Sequence, residues 1–241
     1  MPKNIVSNNI ISFNNVSKTY DDRDVALVGA YCSIPQGAFA CIIGPSGGGK
    51  STVLKLIAGI TDATSGTLSK PKHIAMVFQD GALMPWLSVL ENISFGLHGK
   101  GLSMARIRSI AMKYSKMMGL QGLEAKLPRE LSGGERGRVG IARALAVNPH
   151  VLLLDEPFSA LDPKTTDELY KDIIKIWKET GKTIVMVSHS IEEAVALGTM
   201  VLVVKERAIK KVFEIDLPYP RHEHILPYMR EVRHIKREFF K

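Results

Sequence analysis

The chain has 241 residues, of which 45% are hydrophobic and 23% charged, and a formal net charge of +8. That length suffices for one large domain, or a domain with an inserted lobe, around a buried core. The composition is that of an ordinary soluble protein. No apolar run approaches the ~18 residues a helical membrane span requires. The first residues (MPKNIVSNNI) lack the apolar stretch of a signal peptide. Cys32 and Cys41 lie in apolar, strand-like segments and read as reduced core thiols, which points to the cytosol. The positive charge is uneven. Residues 80–140 carry nine Lys/Arg against five Asp/Glu, and residues 205–241 carry ten against six. Such surfaces meet anionic membranes or nucleic acid, or are merely solvated.

In chain order, Phe39 to Ile43 is predicted as a buried strand, followed by a Gly-rich loop and a helix over Lys50 to Ala58. The stretch from about Asp80 to Val147 breaks the strand–helix rhythm. Its periodicity predicts helices over Met104 to Met118 and Gly134 to Ala146, hence an inserted helical lobe. Val151 to Leu154 is a second buried strand. Lys164 to Thr180 is an amphipathic helix with Leu169, Ile173, Ile176 and Trp177 on one face. Thr183 to Val187 and Val201 to Val204 complete the set of buried strands. Alternation of this kind specifies an α/β fold with a mostly parallel sheet covered on both sides. The tail from Asp216 starts irregularly around Pro218 and Pro220 and ends as a short basic helix.

Gly44-Pro45-Ser46-Gly47-Gly48-Gly49-Lys50-Ser51 fits the pattern G-x-x-x-x-G-K-[ST], between a strand and a helix. Its glycines let backbone N–H groups turn toward phosphate oxygens at a helix N-terminus. Lys50 is placed to reach the β- and γ-phosphates and the Ser51 hydroxyl to hold Mg²⁺. Val151-Leu152-Leu153-Leu154-Asp155-Glu156 puts two carboxylates at the C-terminal end of a buried strand, where ligands of open α/β sheets sit. Asp155 is expected to orient Mg²⁺ through a water, and Glu156 to polarise the water that attacks the γ-phosphate. Ser132, after Leu131 and before Gly133, Gly134 and Glu135, opens a helix and makes a second anion site. Gln79 and His189 each follow a short apolar run, at the expected γ-phosphate edge of the sheet.

Together these elements resemble the nucleotide-binding subunits of ATP-binding cassette (ABC) transporters over nearly the whole chain. The resemblance implies a P-loop NTPase (RecA-like) core over 1–79 and 148–215, with an N-terminal antiparallel β portion. It also implies a helical signature subdomain over 80–147 and leaves 216–241 as a basic tail. Tyr20 fits the aromatic that stacks on adenine, Gly44 to Thr52 the phosphate loop, and Gln79 the Q-loop, which reaches the Mg²⁺. Leu131 to Gly134 fits the signature, which in this family contacts ATP on the partner chain, with Glu135 next to it. Asp155 and Glu156 match the Mg²⁺ aspartate and catalytic glutamate, Ser159-Ala160-Leu161-Asp162 the D-loop, and His189 the switch histidine. In the family two such subunits pair head to tail, each ATP lying between one phosphate loop and the other signature.

A finer resemblance is to ATPases of nitrate, sulfonate and taurine importers. Val77-Phe78-Gln79-Asp80-Gly81-Ala82-Leu83-Met84-Pro85-Trp86 looks like that group's segment after the Q-loop. Asp216-Leu217-Pro218-Tyr219-Pro220-Arg221 looks like its C-terminal stretch. Trp86 is then a permease contact, the alternative being a core aromatic. Two departures stand out. Glu135 and Arg136 replace Gln or Met and a polar residue, and the Lys205 to Lys210 connection lacks an Arg-Pro-Gly turn. The resemblance implies an ATPase with ATP and Mg²⁺, separate permease subunits, a second ATP-binding subunit as homodimer partner, a solute-binding protein reached through the permease, and the cytoplasmic membrane face. A lipid or lipoprotein transporter is one alternative. A soluble ATPase acting on nucleic acid or ribosomes is the other. The short lobe without sustained heptads argues against the latter, and no direct nucleic-acid contact is expected.

Overall fold

A computed structural model describes residues 8–21, 24–79, 81–159 and 162–240. In chain order the elements are β1 (Asn9–Tyr20), β2 (Asp24–Pro35), β3 (Phe39–Ile43), α1 (Lys50–Ala58), β4 (Ser65–Ser69), β5 (Ile74–Val77), α2 (Val89–Ser94), α3 (Met104–Met117), α4 (Gly133–Ala146), β6 (Val151–Asp155), α5 (Pro163–Thr180), β7 (Thr183–Ser188), α6 (Ile191–Leu197), β8 (Met200–Lys205), β9 (Ala208–Glu214) and α7 (Ile225–Phe239). They form two compact units, Met1–Lys72 with Gly181–Lys241, and His73–Thr180.

In the first unit, β3 runs parallel between β7 and β8. All five residues of β3 and all six of β7 are buried. This is why both read as unbroken apolar runs: parallel strands covered on both faces have no polar side. β9 closes that side as an antiparallel edge. A separate antiparallel sheet has the order β2-β1-β4. Cys41 is buried on β3, and both cysteines are free thiols. Cys32 departs from the core reading. It lies on β2, an edge strand with incomplete cover, and is only half-buried, although burial still pushes its thiol up to about 12.

In the second unit, β5 and β6 pair in parallel, with Ile74 opposite Val151 and Val77 opposite Leu154. Leu169, Ile173 and Ile176 of α5 are buried at helical spacing. Helices α2, α3 and α4 pack on one another, and α4 also packs on β5. Gly140 lets α4 approach closely, since a Cβ there would lie 3.3 Å from Val77. Asp80, Ala160 and Leu161, which belong to the Q-loop and D-loop segments, lie outside the described residues.

The tail is more ordered than its prolines suggest. Arg221 is buried, and its guanidinium donates to the carbonyls of Val195, Gly198 (2.5 Å), Ile215 (3.4 Å) and Leu217 (3.2 Å). Two of these acceptors lie at the C-terminal end of α6, where the helix dipole favours a cation. The guanidinium also sits 4.3 Å from the centre of the Tyr219 ring, and the Tyr219 hydroxyl donates to Leu197 O. Beyond this anchor, α7 packs on α6 and buries Val232 and Ile235.

Candidate active site

The phosphate loop connects β3 to α1. Gly49 has φ +106°, and a Cβ on it would stand 2.7 Å from Ala26 O, so no other residue fits between the loop and β2. Gly48 N donates to Pro45 O at 3.1 Å, which turns the loop tightly. The ammonium of Lys50 is buried and donates to Gly44 O and Pro45 O, both at 3.0 Å. It is thus held over the loop. Tyr20, Gly47, Gly49, Lys50, Ser51 and Thr52 line one cavity of about 280 Å³, together with Asp24, Val25, Ala26 and Arg207. An aromatic, an ammonium and two hydroxyls on one cavity can receive a base and a phosphate chain together. Lys18 Nζ lies 4.8 Å from the Tyr20 ring centre. The Tyr20 hydroxyl is buried without a hydrogen bond. His189 directly follows β7 and is exposed.

The remaining predicted residues belong to the second unit. Asp155 ends β6, and Glu156 has φ +49°, a left-handed conformation unusual for a non-glycine residue. Such strain persists only where surroundings hold it, and it collects at functional sites. Here Glu156 O accepts from both Ser159 N (3.2 Å) and Ser159 Oγ (3.1 Å). Gln79 Nε2 in turn donates to Ser159 Oγ at 2.9 Å. Gln79 and the backbone of Glu156 therefore meet at one serine, which the resemblance places only in the D-loop.

Ser132 is the N-cap of α4, its hydroxyl accepting from Glu135 N at 3.2 Å while Ser132 N donates to the Glu135 carboxylate at 2.6 Å. Glu135 is thus the third helical residue of a capping box. The Ser132 N–H, the main cause, holds its carboxyl below the usual range. The S-x-x-E spacing carried this signal. Asp162 precedes α5 and accepts from Thr165 N (3.1 Å) and Thr165 Oγ1 (2.6 Å). Thr165 also fixes the signature, because a Cβ on Gly134 would come within 2.4 Å of its methyl. Signature and D-loop are thereby packed together.

Two further residues were not legible in the sequence. Arg143 of α4 donates to Ala82 O (2.9 Å) and Gly81 O (2.7 Å), clamping the segment that follows Gln79. Asn92 is fully buried, and its amide accepts from Met84 N (2.9 Å) and donates to Met84 O, Leu87 O and Ser88 O. The turn between is therefore rigid, and it holds Trp86 72% exposed. That excludes the core alternative for Trp86.

A family model described as ABC transporter matches residues 27–159. The chain belongs to the ABC transporter family. This cassette is 42% identical over 204 residues to the nitrate import ATP-binding protein NrtD of Synechocystis sp., covering 80% of this chain and 77% of the relative. It is 40% identical over 196 residues to the taurine import ATP-binding protein TauB of Rhizobium johnstonii, covering 78% and 75%. Among solved structures it resembles the dimeric post-hydrolysis state of the ATP-binding cassette MJ0796 bound to ADP and Pi. The TM-score is 0.76 at 32% identity, covering 86% of this chain and all of that one. The fold is that of the P-loop NTPases, and the cassette is an ATP-binding ATPase.

Proposed function

We propose that this cassette powers import of a small solute of the nitrate, sulfonate or taurine kind through separate permease subunits. It works at the cytoplasmic face of the cell membrane, where a solute-binding protein delivers cargo to the permease from the other side. Support comes from the importer relatives and from the rigid, exposed turn at Trp86. A large exposed aromatic on a fixed turn is a partner site rather than packing. Segment 80–147 then faces the permease, 1–79 and 148–215 bind nucleotide, and 216–241 is a tail anchored by Arg221.

In this reading Tyr20 stacks on adenine, and Gly44, Pro45, Ser46, Gly47, Gly48, Gly49, Lys50, Ser51 and Thr52 hold the phosphates. Ser51, Gln79 and Asp155 hold Mg²⁺. They supply a hydroxyl, an amide oxygen and a carboxylate, the hard oxygen donors that suit this ion. Among the described residues no cluster of three or more His, Cys, Asp or Glu could hold a metal. A Mg²⁺ ion would therefore take its other ligands from phosphate and water, as it usually does. A Mg²⁺ held there would supply charge neutralisation on the phosphates. Glu156 is the general base, with His189 and Gln79 at the γ-phosphate. A second copy of the chain supplies Ser132, Gly133, Gly134 and Glu135 to the same ATP, with Asp162 at the junction. The dimeric relative supports the pairing.

The test is Trp86→Ala. ATP hydrolysis by the isolated cassette should stay within about two-fold, since Trp86 does not line the phosphate-loop cavity. Co-purification with the permease from detergent-solubilised membranes, and ATP-driven uptake, should fall at least ten-fold, the scale of a hot-spot truncation. Undiminished recruitment would reject the permease role of this turn.

A further inference from the structure

The departure from the importer pattern at Lys205 to Lys210 falls at the cavity of the phosphate loop. β8 and β9 are joined by only Glu206 and Arg207, at φ +51° and +60°. Two consecutive positive φ angles define the tight hairpin turn that Asn-Gly normally makes. Glu and Arg gain nothing from that conformation, so the surroundings must hold it. They do so from two sides. Val28 N of β2 donates to Arg207 O at 2.7 Å. Val204, two residues before the turn, packs so closely on the phosphate loop that a Cβ on Gly44 would fall 2.0 Å from its carbonyl oxygen. The turn is thus tied to both walls of the nucleotide cavity, which Arg207 lines with Tyr20, Gly47, Gly49 and Lys50. Among the described residues, no hydrogen bond or ion pair engages the Arg207 guanidinium. A guanidinium is never deprotonated, has donors only, and matches phosphate oxygens in pairs.

We propose that Arg207 is a nucleotide-binding residue, its guanidinium pairing with the phosphate chain of the ATP held by the phosphate loop. The strained turn then has a purpose: it fixes the residue at the cavity. The inference rests on the ATP-site reading above, and its test separates the two. Affinities of the full chain for ATP, AMP and adenosine would be measured by fluorescence titration at low and high salt. The variants are Arg207→Gln, Arg207→Gly and Lys50→Ala. Wild-type protein that bound no ATP, or bound it as well as Lys50→Ala, would sink the underlying site. Given ATP binding that Lys50→Ala weakens, Arg207→Gln should weaken ATP roughly ten-fold, the usual worth of a charge-assisted contact. It should also flatten the salt dependence and leave adenosine unchanged. Arg207→Gly suits the turn's φ angles, so it should melt no lower than wild type yet lose ATP affinity equally. Unchanged ATP affinity in Arg207→Gln overturns the proposal. So does an equal loss for adenosine, or wild-type affinity in Arg207→Gly, which would trace the effect to turn geometry.

Discussion

Glu156→Gln is expected to bind ATP as the wild type does and to hydrolyse it roughly 10²–10⁴-fold more slowly, the span for loss of a positioned general base. The exchange is isosteric and changes only the ability to take a proton. The backbone of residue 156 should keep its left-handed φ, because Ser159 holds its carbonyl through two hydrogen bonds. Gln79 should stay on Ser159 for the same reason. Steady-state hydrolysis measured beside equilibrium binding separates the two effects. Hydrolysis near the wild-type rate would remove Glu156 from the chemistry. Equal loss of binding would make its role structural.

The largest expected effect on stability is at Arg221. Arg221→Ala would leave the carbonyls of Val195, Gly198, Ile215 and Leu217 without their shared donor. Each buried acceptor left unmet costs about 1–3 kcal/mol, less where water enters the vacated space. A net loss of about 3–5 kcal/mol follows from the four acceptors, roughly 1 kcal/mol each once water relieves part of the penalty. For a chain of this size it corresponds to a melting temperature lower by roughly 6–20 °C. Arg221→Lys should recover only part, since an ammonium lacks the planar fork that reaches acceptors on two sides. ATP hydrolysis per folded molecule at low temperature should be nearly unchanged, as the cluster lies among α6, β9 and the tail. A melting temperature within 2 °C of wild type would show that water replaces the guanidinium at little cost.

Arg221 also marks where sequence reading and structure part. The Leu-Pro-x-Pro-Arg stretch was legible as a resemblance, yet its arginine serves packing of the tail. The sequence predicts β3 and α1 to the residue, and β6, β7, β8 and α5 to within one. Those strands are buried on both faces, and the glycines and prolines beside them punctuate clearly. β1 was harder. Its alternation breaks at Asn14 and Asn15, where the register shifts and Asn15 takes φ +55°. β9 is an edge strand with Lys210 and Lys211 exposed, so it shows no buried stripe. In the candidate site, residues proposed for their chemical type stand out in the sequence: Lys50 and Ser51 on the phosphate-loop cavity, and Asp155 and Glu156 at the end of β6. Arg143, Asn92 and Arg207 do not, because no residue pattern announces their neighbours: Gly81 and Ala82 for Arg143, Met84 to Ser88 for Asn92, and the phosphate-loop cavity for Arg207. Glu135 is a departure from the family pattern in the sequence, and in the structure its carboxylate is engaged by the cap it forms with Ser132.

In the proposed head-to-tail pair, each ATP is hydrolysed between the phosphate loop of one copy and the signature of another. Lys50→Ala removes the first half and Ser132→Arg the second. Replacing the Ser132 cap costs only about 1 kcal/mol of helix stability, so both variants should fold, as melting can verify. The decisive measurement is ATP hydrolysis by each variant alone and by the two mixed. Each alone should be inactive. The mixture should regain a substantial fraction of wild-type activity, because a mixed pair retains one complete site. A mixture as inactive as its components under conditions where mixed pairs demonstrably form, or full wild-type activity in a demonstrably monomeric preparation, would rule out the shared site.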